Sequence, residues 1–125
     1  MQNTRQGRCH CGAVRIEVSL PDGLKQLIRC NCSLCSRKSA TMMAVPLAAF
    51  KIISGADHLT VYQWNTRVAK HYFCSIRGIY THHQRRTAPA QYGINVACLK
   101  GVDVKALVDV SWADGAALSG GVDRD

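Results

Sequence analysis

A chain of 125 residues, 47% hydrophobic and 19% charged, is long enough to bury one core and too apolar to be a disordered polymer. No run approaches the roughly 18 apolar residues of a membrane helix, and the opening Met1-Gln-Asn-Thr-Arg5 has no apolar signal core, so a cytoplasmic protein without a membrane partner is expected. The formal charge of +8 favours anionic partners over cationic ones, and it belongs to residues 1–97, where 13 Lys and Arg stand against Glu17, Asp22 and Asp57.

Along the chain, Val14, Ile16, Val18 and Leu20 alternate with Arg15, Glu17 and Ser19, the period-two pattern of a half-buried strand ended by the Pro21-Asp22-Gly23 turn. Leu24 to Arg29 reads as a hairpin-like return. The small, polar and basic stretch from Ser33 to Ala40 predicts a loop or one helical turn, and Thr41 to Leu47 another strand, broken by Pro46. Phe50 to Ser54, Leu59 to Trp64 and Val68 to Phe73 are β-branched or aromatic runs parted by turn residues, which predicts an antiparallel meander with Tyr62 and Trp64 as core aromatics. Thr81 to Tyr92 is polar and basic, so it reads as an exposed loop with His82 and His83 on the surface and Arg85 and Arg86 on a solvated face. Gly93 to Ala97 predicts a core strand, Cys98 to Val102 a helical turn, and Val102 to Trp112 a further alternating segment. The whole is a mostly β protein with few short helical turns, one domain over residues 1–118 and a flexible tail over 119–125.

Seven cysteines cannot pair completely in one chain, and a reducing compartment favours thiolates for metal over disulfides. C-x-C at Cys9 and Cys11, then C-x-C-x-x-C at Cys30, Cys32 and Cys35, brings sulfurs together as a tetrahedral Zn2+ site requires. Cys30, Cys32 and Cys35 have no fourth Cys or His beside them, which predicts a three-ligand zinc with an open position. Cys9, Cys11 and Cys74 form a discontinuous group of the kind a structural metal clamps. Cys98 reads as a core residue, with a fourth-ligand role as the alternative; His10, between two cysteines, is not counted as a ligand.

The blocks Gly7-x-Cys9-His10-Cys11-Gly12-x-Val14, Cys30-Asn31-Cys32-Ser33-x-Cys35-x-Arg37 and Phe73-Cys74-x-x-Arg77-Gly78 together resemble the glutathione-dependent formaldehyde-activating enzyme family, which includes centromere protein V. The resemblance runs from about residue 7 to residue 100. It implies a β-tent of small antiparallel sheets organised around zinc, a catalytic zinc on Cys30, Cys32 and Cys35, and a structural zinc on Cys9, Cys11 and Cys74. Arg77 stands where the family pattern has its fourth structural cysteine, so that site is completed by another residue or water, or is empty. The activity implied is that of a carbon–sulfur lyase or synthase joining a glutathione-type thiol to a small aldehyde, with a thiol such as glutathione and formaldehyde as partners. The alternative is a zinc-structured binding module whose basic face meets nucleic acid or another polyanion.

Overall fold

The computed structural model describes residues 3–63, 69–85, 88 and 90–114. Trp64, Arg67, Arg86 and the tail over 119–125 lie outside them. The described residues are mostly β, in two sheets with one short α-helix. The smaller sheet has the order β1-β2-β5, from β1 (Thr4–Arg8), β2 (Arg15–Ser19) and β5 (Phe50–Ser54). The larger is seven-stranded: β3 (Leu27–Cys30), β4 (Met42–Pro46), β6 (Leu59–Tyr62), β7 (Lys70–Cys74), β8 (Tyr80–Gln84), β9 (Gln91–Asn95) and β10 (Val110–Ala113), in the order β10-β3-β4-β9-β8-β7-β6. The helix α1 spans Ser33–Lys38.

The alternation in β2 places Val14, Ile16 and Val18 inward, each with no exposed surface, while Arg15 faces solvent. They meet Val45 and Ile94 of the larger sheet, and Val96 and Leu99 from the turn after β9, in one core. Phe50 of β5 reaches across to the His82 ring of β8, with centroids 4.4 Å apart. Gly55 turns the chain out of β5 at φ 84°, pressed so closely on the 13–14 backbone that a Cβ would lie 1.9 Å from the Ala13 carbonyl oxygen.

Several expectations change here, because pairing across sequence distance is invisible to local pattern. The segment after Pro21 makes no hairpin with β2: β3 leaves for the larger sheet, and β2 pairs with β1 and β5. The meander is β6-β7-β8-β9, and β5 lies outside it in the smaller sheet. Thr81 to Gln84 is no exposed loop but most of the buried strand β8. Tyr62 is 46% exposed and so no core residue. One pair of strands, β10 and β3, is parallel. No helix among the described residues is long and apolar enough to cross a membrane.

Candidate metal centres and the family they belong to

The β1–β2 hairpin loop carries the first cysteine group. The Cys9 N–H donates to the Val14 carbonyl and the Gly12 N–H to the Cys9 carbonyl, so the chain doubles back and turns both sulfurs to the same side. Cys74, the last residue of β7, supplies the third sulfur from the other sheet. The Cys9 and Cys11 Sγ atoms are 3.5 Å apart, and those of Cys11 and Cys74 are 3.7 Å apart. Zn–S bonds of ~2.3 Å at tetrahedral angles put sulfurs ~3.8 Å apart, so the spacing fits zinc. Arg77 sits exposed in the β7–β8 turn, its guanidinium donating to the Ile76 carbonyl. Among the described residues no other Cys, His, Asp or Glu joins this group.

The second group is built by β3 and α1. Cys30 ends β3, Cys32 caps α1, and Cys35 lies in its first turn; their Sγ atoms are all within 4.8 Å of one another. The Cys35 N–H donates to Cys32 Sγ at 3.3 Å, so a sulfur takes the capping place usually held by an oxygen. Ser39, in the left-handed region at φ 54°, closes the helix with its N–H on the Cys35 carbonyl. The C-x-x-C spacing therefore sets two sulfurs on one helical turn, facing the end of a strand. Cys98 belongs to neither group; its thiol donates to the Tyr80 carbonyl at 3.5 Å.

Thiol electrostatics differ between the two groups. Crowding by Cys30, then by Cys32, then burial pushes the Cys35 thiol far above its ordinary range, and Cys30 raises Cys32 likewise. Three sulfurs this close cannot all shed their protons unless a cation stands between them. Around Cys9, burial works upward, but the Val14 N–H, the Cys11 and Cys74 sulfurs and the Gly12 N–H together bring it down to about 7.

A chain of polar side chains adjoins the second group, and nothing in the local sequence signals it. Lys38, at the end of α1, places Nζ 3.0 Å from His71 Nδ1 and 3.6 Å from the centre of the Tyr80 ring. The Tyr80 hydroxyl lies 2.6 Å from His83 Nδ1. His71 and His83 stack at 5.2 Å. The ring of His83 takes the space opposite Gly93, where a Cβ would fall 2.4 Å from its Cε1 atom. Burial lowers Lys38 to about 8 against the pull of the Cys35 and Cys32 thiolates, and it lowers His71 to about 4, with the Lys38 charge adding to the effect. His82 and His83, expected at the surface, are buried and half-buried, and burial brings both to about 3.

With that geometry in place, comparison with known proteins is decisive. The family model described as "Glutathione-dependent formaldehyde-activating enzyme" matches residues 4–112. The chain belongs to this family. A Halomonas elongata protein named "Putative glutathione-dependent formaldehyde-activating enzyme" is 38% identical over 79 residues, which cover 56% of this chain and 49% of that protein. The match thus spans about half the length of that relative. A crystal structure of a Rhodobacter sphaeroides protein is 50% identical, with a TM-score of 0.83 over 86% of this chain and 99% of that one. The two cysteine groups of this family member are the ones the spacing singled out, and each could bind a metal ion.

Proposed function

We propose that this chain catalyses reversible joining of a glutathione-type thiol to a small aldehyde, as a zinc-dependent carbon–sulfur lyase or synthase. The observation that carries the reading is the convergence of Cys30, Cys32 and Cys35 with no fourth protein ligand among the described residues, beside the Lys38–His71 pair. Cys30, Cys32 and Cys35 would hold a zinc ion that would act as a Lewis acid and favour the thiolate form of an incoming thiol. Cys9, Cys11 and Cys74 would hold the structural ion, pinning the smaller sheet to the larger.

The roles of the chain's other groups follow from their contacts. Lys38 donates to His71 Nδ1, which leaves that ring's other nitrogen to carry its hydrogen and fixes its tautomer. Its ammonium provides positive charge where an alkoxide develops when sulfur bonds to the carbonyl carbon. The proton lost by the thiol is matched by one gained by that oxygen, so joining and cleavage are each balanced without a redox partner. Tyr80 and His83 brace the floor beneath Lys38.

The test joins metal content to turnover. Elemental analysis should find zinc in the wild-type chain and one ion fewer per chain in Cys35→Ser. Exchange NMR should show the wild type speeding interconversion of glutathione, formaldehyde and their adduct beyond the spontaneous rate, and Cys35→Ser failing to do so. Equal acceleration by both proteins, or none by the wild type, would end this reading.

A further inference from the structure

A cavity of about 600 Å³ lies against the face of the larger sheet formed by β10, β3 and β4, under the segment from Asp103 to Asp109. That volume falls in the range of small-molecule sites, roughly 300 to 1,000 Å³. Its lining combines Arg29, Lys38, Thr41 and Asn95 with Leu107, Trp112 and neighbouring valines.

Strand register sets the charged and apolar groups side by side. β10 runs parallel to β3 with Trp112 opposite Arg29 and Val110 opposite Leu27, so these four side chains leave the same face. Cys30, the next residue, leaves the other. Arg29, one of the lining residues, anchors its Nε–H on Thr41 Oγ1 at 2.9 Å, which holds the guanidinium in place. No acidic side chain lines the cavity among the described residues. The apolar wall stays wet: Trp112 is 64% exposed, Val108 86% and Val104 57%. A charged fork beside uncovered apolar surface supplies both halves of a site for an amphipathic anion.

We propose that this cavity binds an organic carboxylate with an apolar body, the carboxylate forked by Arg29 and the body laid along Trp112 and Leu107. Lys38 lines the cavity and is also the residue beside Cys35 and Cys32, so the two sites share a wall. The proposal rests on the function above only in making this anion the non-reacting half of the substrate; binding itself needs neither thiol nor aldehyde.

Phenylbutyrate is the probe, with phenylbutanol as its neutral isostere and acetate as the headgroup alone. Each is titrated into the full chain as purified while the indole N–H resonance of Trp112, assigned by its loss in Trp112→Phe, is followed by NMR. Phenylbutyrate should shift that resonance saturably, with phenylbutanol and acetate at least about tenfold weaker. Arg29→Met should erase the preference for acid over alcohol, and Trp112→Ala, at an exposed position, should weaken both. Cys35→Ser should bind phenylbutyrate within roughly twofold of the wild type, so a failed reaction with intact binding would count against the proposed function alone. Equal affinity for acid and alcohol would overturn the site, as would no shift up to the solubility limit. So would binding lost in Cys35→Ser but kept in Arg29→Met, because the carboxylate would then sit on the cysteine group.

Discussion

Replacing His82 with Phe tests the most buried titratable ring of the chain. His82 is 1% exposed, packed parallel to Tyr72 at 4.5 Å and against Phe50 and Tyr92, and its Nδ1 is 2.8 Å from the Thr81 hydroxyl. Burial lowers it from 6.5 to about 3. Above pH 6.5 the ring is neutral in folded and unfolded chains alike; as pH falls from there toward 3, only the unfolded chain gains the proton, so stability is lost across that window. At pH 5 the loss is about 2 kcal/mol, at about 1.4 kcal/mol per pH unit. His82→Phe keeps the stacking and forfeits one hydrogen bond, a cost of about 1 kcal/mol. The variant should therefore be less stable than the wild type by about 1 kcal/mol at pH 7 and more stable by a similar amount at pH 5. Urea unfolding followed by circular dichroism, at equal zinc and ionic strength, measures the gap; acid effects of the other histidines and of the metal sites cancel in the difference. A gap that stays constant with pH would refute a neutral, buried His82.

Gly55→Ala puts a methyl group 1.9 Å from the Ala13 carbonyl and strains a positive φ, so a loss above about 3 kcal/mol, read as a fall in thermal midpoint, is expected beside the Cys9–Cys11 loop. Gly93→Ala should displace the His83 ring and loosen its 2.6 Å contact with the Tyr80 hydroxyl, visible as a shifted His83 resonance with the fold retained. The Cys11 thiol is raised and that of Cys9 lowered, but Cys11 is exposed whereas Cys9 and Cys74 are buried, so with access outweighing acidity chelator-treated protein should be alkylated by iodoacetamide first at Cys11, and added zinc should protect it; peptide mass spectrometry locates the adduct.

Local chemistry was written plainly wherever the signal was local. The alternation of β2, the β-branched run of β5 and the single helical turn after Ser33 all stand where the pattern puts them. The group of Cys30, Cys32 and Cys35 was legible too, because C-x-C and C-x-x-C constrain sulfurs within a few residues, whereas no local spacing brings Cys74 to Cys9 and Cys11. What failed was partnership at a distance. β3 and β5 each joined the sheet opposite to the one their neighbours suggested, since register is settled by faces that no local window contains. β8 was hidden by its polarity: Tyr80, His82 and His83 look solvated until Phe50, Tyr92 and Gly93 arrive from other strands to cover them. Lys38, His71 and Tyr80 come from three separate elements, so their meeting beside Cys35 had no trace in the sequence.

The strand that presents Cys30 is held almost entirely from one side. It pairs with β4 at a single position, Ile28 opposite Met42, whereas all four of its residues are matched by Val110 to Ala113. On a ribosome, the three sulfurs of this group emerge well before the strand that supports them. A metal taken up early would be held by a loop, and one taken up late by a sheet, so topology ties the moment of loading to the arrival of β10.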